Sequence, residues 1–324
     1  MINKEYPLVS VVMLNYNGLH YLKSTIPQVL NLHYKNIEFI IVDNGSVDGS
    51  IEFIKKFKEI KLIENHSNLG YSAGKNIGIK NAVGDYLLNI DEDILIKDKD
   101  LLLKLINEYT PDTGFLQVPL VDLHQEKTFY YGTYYSVYGL NMHRPPVSIQ
   151  KILQQDKKNK ICGPTGGFFF VSRKKMQKIG FFDEIQKFHL DDVDIGPRSW
   201  IFGFQNYLIK SAYCEHLGIN KTLQLDSYIN RYRLIFSGHA RAMIKNFNLM
   251  DLILRLPILF VFHFIKAIKF SVKKRSFQIF LAFVDSVLFF IKNIPGTLKE
   301  RRKIQSSRIV KEDVFLSIKP PRFI

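Results

Sequence analysis

Asn65-His-Ser-Asn-Leu-Gly-Tyr-Ser-Ala-Gly-Lys-Asn-Ile-Gly-Ile-Lys-Asn-Ala-Val-Gly-Asp-Tyr-Leu-Leu-Asn-Ile-Asp-Glu-Asp93 decides the fold. It opens as a small-residue turn, continues as a short helix and, after Gly84, becomes the apolar run Asp85-Tyr-Leu-Leu-Asn-Ile90. A run this short, following a glycine, suits a buried parallel strand. Asp91, Glu92 and Asp93 stand where that strand stops, and the ligands of open α/β sheets bind beyond the carboxyl ends of such strands. Crowded carboxylates raise one another's pKa unless a positive charge sits among them. A divalent cation held together with a diphosphate meets that need, and hard oxygen ligands suit Mg²⁺ or Mn²⁺.

Upstream the same grammar repeats. Val9-Ser-Val-Val-Met-Leu14 is a β-rich run closed by the polar turn Asn15-Tyr-Asn-Gly18, with Asn17 inside the turn. Leu22, Ile26, Val29 and Leu30 recur at helical spacing, and a second strand, Ile37 to Val42, ends in Asp43-Asn-Gly-Ser-Val-Asp-Gly-Ser50. A helix bearing Ile51, Ile54 and Phe57 and a strand from Ile60 to Ile63 complete a strand–helix–strand–helix–strand order, which predicts a parallel α/β sheet. The loop from Asn68 through Gly70 to Asn76 and Gly78 is either a tight packing turn or a phosphate cradle that Lys75 would serve. It is not a G-x-x-x-x-G-K-[ST] loop, and no G-x-G-x-x-G follows the first strand, so neither a P-loop nor a dinucleotide fold is indicated.

In this order and spacing, Asn15-Tyr-Asn-Gly18, Val42-Asp-Asn-Gly-Ser-Val-Asp-Gly-Ser50, Asn68-x-Gly-x-x-x-Gly-x-Asn-x-Gly78, Gly84-Asp-Tyr86 and Asp91-Glu-Asp93 resemble family 2 glycosyltransferases of the GT-A fold, over about residues 7 to 245. The closest likeness is to the rhamnosyltransferase-like branch of cell-surface polysaccharide synthesis. The resemblance implies a Rossmann-like, mostly parallel sheet flanked by helices. It implies a nucleotide pocket of Asn15, Asn17, Asp43, Asn68, Gly70, Asn76 and Asp91, with Asp43 on the pyrimidine or ribose and Asp93 on the cation.

Further along, residues 98–110 read as a helix and Phe115 to Val121 as one strand. Asp122 to Lys160 is rich in tyrosine, predicted to be core for most rings and an acceptor-side wall for a few. In Cys162-Gly-Pro-Thr-Gly-Gly167, the resemblance implies that Gly166 and Gly167 let backbone approach the donor sugar. It further implies a catalytic acid at Asp191-Asp192, where relatives carry Glu-Asp, with Asp192 as the base, and a metal contact at His216.

The 324 residues carry a net charge of +15, and the segment from Lys245 onward alone holds 16 Lys and Arg against five Asp and Glu. Residues 1–245 are therefore predicted as the catalytic domain, its nucleotide half about 1–121 and its acceptor half about 122–245, with 246–324 a basic helical appendage. From Asp251 to Lys273 the polar residues Asp251, Arg255, His263, Lys266, Lys269 and Lys273 share one helix face opposite Leu, Ile, Phe and Val. This predicts helices lying on an anionic membrane surface, or else a hairpin packed on the catalytic domain. The basic residues interleave with aliphatic side chains rather than a stacking surface, so nucleic acid is not an expected partner. Cys162 and Cys214 form no disulfide framework and the N-terminus shows no signal-peptide pattern, so the predicted location is the cytoplasmic face of the cell membrane, peripheral or monotopic.

The reading that results is a metal-dependent inverting glycosyltransferase. It moves a sugar from a UDP- or dTDP-sugar to a saccharide acceptor, polyprenyl-linked if the enzyme works at a bilayer. Two alternatives stand beside it: a non-catalytic subunit of a polysaccharide assembly complex, and a sugar nucleotidyltransferase. The latter needs a Gly-rich, Arg-containing loop after the first strand, where this chain has Asn15-Tyr-Asn-Gly18.

Overall fold

Every residue of β1 (Val9–Asn15) is buried, because the strand is covered on both faces. Its side chains alternate as a pleat requires: Val9, Val11 and Met13 pack with Leu22 and Ile26, whereas Val12 and Leu14 pack with Ile79 on the other face. The computed structural model describes residues 6–122, 127–141, 146–154, 158–186, 190–217 and 225–320.

After β1 come α1 (Leu19–Leu30), β2 (Ile37–Asp43), α2 (Ser50–Ile54), β3 (Ile60–Glu64), α3 (Tyr71–Asn81) and β4 (Tyr86–Asp91). β1 pairs in parallel with β2 and β4, and β2 with β3. The register sets Asn15 opposite Asp43 and Leu14 opposite Asp91, so three polar strand ends finish level on one edge of the sheet. α3 lies close on β1. A Cβ added at Gly74 or Gly78 would come within 2.5 Å of Leu14 or Val12, so these glycines serve helix-to-sheet contact.

The chain continues through β5 (Ile94–Leu95), α4 (Leu101–Glu108), β6 (Thr113–Gln117), β7 (Leu120–Asp122), β8 (Lys127–Tyr130), β9 (Val147–Ser148), α5 (Ile149–Leu153), β10 (Asn159–Ile161) and β11 (Phe168–Ser172). Then follow α6 (Arg173–Ile179), α7 (Asp191–Ile201), β12 (Gln205–Leu208) and β13 (Cys214–His216). The main sheet has the order β10-β12-β6-β11-β4-β1-β2-β3, and a smaller one has β5-β13-β7-β8-β9. The single strand expected from Phe115 to Val121 is in fact two, β6 and β7, in different sheets. Pro119 lies between them and has no N–H to continue a ladder. β11 runs antiparallel to β4 with Phe168 opposite Ile90, which carries the turn before it to the carboxyl end of β4. β13 pairs with β5, His216 opposite Ile94, next to Asp93.

Four α-helices follow, α8 (Leu225–Asn246), α9 (Leu249–Lys274), α10 (Gln278–Lys292) and α11 (Ile294–Ser306), and then a 3-10 turn at Val314–Ser317. Phe236 and Met243 of α8 and Phe247 just after it join Leu259, Ala267, Phe283 and Ile304 in the same hydrophobic cluster as Val12 and Phe169, so the C-terminal helices pack on the α/β part. α9 turns one edge of its polar side inward at His263 and leaves an apolar side exposed. Its buried residues are Leu259, His263 and Ala267, while Ile253, Leu254, Ile265 and Val272 are 57 to 73% exposed, and Leu281 and Leu288 of α10 are also exposed. Among the described residues no single helix is long and apolar enough to cross a membrane; α10 and α11 reach that length only together, across a 59° bend.

Candidate functional site

The three level strand ends build a polar wall. Asp43 is wholly buried: one carboxylate oxygen accepts from the Gly45 and Ser46 backbone N–H at 3.1 and 2.8 Å, and the other from Asn15 Nδ2 at 2.7 Å. Asn15 Nδ2 also reaches Ser46 Oγ at 3.0 Å, and the Asn17 N–H donates to the same hydroxyl at 2.8 Å, while Asn17 Oδ1 accepts from the Val47 N–H. Asn15, Asn17 and Asp43 thus form one braced unit. Asn68 Oδ1 accepts from Asn44 Nδ2 and from the N–H of Gly70, whose φ of 89° opens α3. Asn76 has another task. It is bonded at both ends of its amide to Phe182, and its Nδ2 also donates to Glu184, so it ties α3 to the 182–184 loop rather than lining the wall.

Lys75 corrects one expectation. Its side chain is fully buried and its Nζ lies 2.9 Å from Asp91 Oδ1, so it neutralises the strand-end acid instead of waiting for a phosphate. Asp91 Oδ1 also accepts from Tyr71 Oη at 3.0 Å, and Tyr71 Oη lies 2.7 Å from the Gly166 carbonyl. The Asp91 N–H donates to the Gly167 carbonyl, and a Cβ at Gly167 would stand 3.0 Å from Asp91 Oδ2. Gly166 and Gly167 are therefore drawn onto the end of β4.

One residue on, burial first and then the neighbouring charges of Asp91 and Asp93 push the Glu92 carboxyl up to about 8. Burial raises Asp93 too, against the pull of His216, whose Nε2 lies 3.8 Å from Asp93 Oδ1. Among the described residues no three His, Cys, Asp or Glu side chains are grouped to hold a metal by themselves. Asp93 and His216 do offer an oxygen and a nitrogen ligand side by side, in a cluster short of positive charge. That fits a divalent cation whose other ligands come from a diphosphate.

Asp192 sits in the first turn of α7, near Gly166. Burial raises its carboxyl to about 6, although the N–H groups of Val193 and Gly166 and the charge of Arg231 act to lower it, and one edge stays partly exposed. Val193 N–H donates to Asp192 Oδ1 at 2.8 Å. The Asp191 side chain lies outside the described residues, as do those of Phe129 and Tyr130. Tyr131, Tyr134 and Tyr135 are core, while Tyr138 is exposed.

Sequence reasoning passed over Tyr71 and Asn44. Asn44 is buried and ties the Asp43 strand end to Asn65, Asn68 and Gly70. Its position directly after Asp43 was the available signal.

Residues 10–180, more than half of the chain, match the family model described as glycosyl transferase family 2. The chain is 43% identical over 105 residues to an uncharacterized glycosyltransferase of Haemophilus influenzae, covering 31% of this chain and 42% of that protein. It is 35% identical over 109 residues to the glycosyltransferase GlyA of Streptococcus pneumoniae, covering 32% of this chain and 16% of that one. The chain thus spans less than half the length of these curated relatives. Its fold is similar to that of S. aureus TarS in complex with UDP, with a TM-score of 0.57 at 15% identity over 96% of this chain and 90% of that one. It is also similar to the mannosyltransferase PcManGT from Pyrobaculum calidifontis in complex with GDP-Man and Mn²⁺, with a TM-score of 0.56 at 14% identity over 97% and 86% of the two chains.

Proposed function

The chain belongs to glycosyl transferase family 2, and from that premise we propose that it moves a sugar from a nucleoside diphosphate donor to a saccharide hydroxyl with inversion. The observation that carries this reading is the contact chain Asp91–Tyr71–Gly166–Asp192, which joins the strand-end acids to one further carboxylate poised as a base. An acceptor hydroxyl is too weak an acid to ionise first, so Asp192 takes its proton as the new bond to the anomeric carbon forms. The bond from that carbon to the diphosphate breaks, and its electron pair leaves on the phosphate oxygen. A divalent cation held by Asp93 and His216 supplies charge stabilisation to that leaving group when bound. A single displacement of this kind inverts the centre.

For the donor we propose a UDP- or dTDP-sugar; the TarS structure with UDP and the Asn15–Asp43 wall support this. Incubation with UDP-, dTDP- and GDP-sugars plus Mn²⁺ is expected to raise the melting temperature with one donor class, and that donor is expected to support transfer. Binding without any transfer would favour the non-catalytic subunit instead. Because Asp192 must be ionised to act, kcat/KM is expected to rise with pH through about 6 and level off above it, in a pH–rate profile at saturating Mn²⁺. A profile flat from pH 5 to 8, the span of ordinary histidine titration, would remove Asp192 from the role.

For the acceptor we propose a lipid-linked saccharide, met at the cytoplasmic face of a membrane. The exposed apolar side of α9 supports this, since contiguous patches of that kind mark membrane or protein contact. Burying one such side chain is worth about 1.5–3 kcal/mol. Leu254→Asp with Ile265→Asp is therefore expected to cut sedimentation with anionic vesicles at least ~tenfold, with the circular dichroism spectrum unchanged. Equal sedimentation of variant and parent would count against the membrane face.

A further inference from the structure

The seam between α8 and α9 has a fixed antiparallel register. His239 Nδ1 lies 2.9 Å from His263 Nε2, the Tyr232 and Phe270 rings are 5.9 Å apart, and Lys274 lies 4.9 Å above the Tyr228 ring. Arg231 precedes Tyr232, and Lys266 stands one turn from both His263 and Phe270, so both cations fall on this seam. The same side of α8 meets the entry to α7: one turn beyond Arg231 the Leu234 carbonyl accepts from Gln186 Nε2, and two turns beyond it Gly238 approaches Leu190. Asp192 is near enough for the Arg231 charge to act against the effect of burial on its carboxyl. Lys266 is lowered by burial and then by Arg231.

Among the described residues four of the nine cations on α8 and α9 have carboxylate partners, and of the five without one Lys269, Lys273 and Lys274 are exposed whereas Arg231 and Lys266 are partly buried. Arg233 pairs with Asp285, Arg241 and Lys245 with Asp183, and Arg255 with Asp251. Among the described residues, Arg231 and Lys266 have none; Lys266 lies 5.6 Å over the Phe262 ring. Two partly buried like charges repel unless an anion comes between them. Outward from Lys266 the surface turns apolar, with Phe262, Ile265 and Ile268 exposed. The order across the seam is thus a catalytic carboxylate, two cations, then hydrocarbon.

We infer that Arg231 and Lys266 form a subsite for the phosphate or diphosphate of a lipid-linked acceptor. The pair holds the anionic joint between saccharide and lipid while the lipid lies along α9 and the saccharide hydroxyl faces Asp192. The identity of the ligand rests on the acceptor proposed above.

The test is titration of the full chain in detergent with farnesyl diphosphate and with farnesol. The parent is expected to prefer the diphosphate. Arg231→Gln and Lys266→Gln are each expected to weaken that binding about tenfold, within the range for a charged hydrogen bond, while Arg231→Lys and Lys266→Arg restore most of it. UDP affinity with Mn²⁺ and sedimentation with phosphatidylglycerol vesicles are expected to stay unchanged in the Gln variants. An equal loss of UDP binding would assign the pair to the donor diphosphate. Lost vesicle binding without preference for farnesyl diphosphate would assign it to a bulk headgroup. Either result overturns the subsite. A parent chain that shows the diphosphate preference and its dependence on both cations, yet transfers from no nucleotide sugar, keeps the subsite and removes the transfer reading. Transfer with no such preference does the reverse.

Discussion

Asp192→Asn is expected to lower kcat about 10²- to 10⁴-fold, the usual contribution of a positioned general base, while the donor still binds. The amide keeps the shape and can still accept from the Val193 N–H, which donates to Oδ1 at 2.8 Å, but it cannot take a proton. Initial rates at saturating donor, beside a titration of the nucleotide, separate the two effects. Turnover near that of the parent would remove Asp192 from the reaction. If Asp191→Asn alone abolished transfer, the base would be Asp191.

The second large effect is on stability. Asp194 on α7 is almost completely buried and accepts from Arg198 Nη2 at 2.8 Å, Lys245 Nζ at 2.7 Å and Asn246 Nδ2 at 2.8 Å. Lys245 also meets Asp183 at 2.8 Å, and Arg241 meets Asp183 at 2.7 Å. This network fastens α8, and through it the C-terminal helices, to α7 two residues from Asp192. Asp194→Ala leaves two buried cations short of a partner, a change that costs about 3–5 kcal/mol. For a chain of this length that corresponds to a fall of roughly 5 °C in Tm, measurable by calorimetry. A loss below about 1 kcal/mol would mean that the network is as weak as a surface ion pair.

Asp183 sets the acid limit of the same network. Burial alone would raise its carboxyl, but the charges of Lys245 and Arg241 and their hydrogen bonds outweigh this and hold it well below the usual carboxylate range. A depressed folded pKa contributes stability that is complete above the unfolded value, about 3.9. That contribution is lost only as pH falls through the folded one.

Much of the sheet was legible because its strands are apolar runs with polar ends. Val9 to Leu14, Ile37 to Val42 and Asp85 to Ile90 each lie within one strand or a residue from its end, and the glycines after Asn68 mark where α3 meets β1. Other features depend on partners far along the chain. That Pro119 divides one apolar run between two sheets follows from what each half pairs with. Lys75 reads as a free cation until β4 folds beside it and Asp91 takes it up. The amphipathic stripe of α9 was plain, but periodicity does not say which side faces protein: His263 lies inward beside Leu259, while Ile253, Leu254 and Ile265 stay exposed. The cations of α8 look like part of a basic tail, yet Arg241 and Lys245 are buried by acids some fifty residues upstream or more.

The claim on which the account turns is that the strand-end acids hold a cation together with the donor diphosphate. Its most direct test is isothermal titration of UDP, with dTDP in parallel, into the parent and Asp93→Asn with and without Mn²⁺. Mn²⁺ is expected to tighten nucleotide binding to the parent at least ~tenfold, and Asp93→Asn to lose this gain. Nucleotide binding indifferent to Mn²⁺ in the parent, or an equal response to Mn²⁺ in the variant, would contradict it.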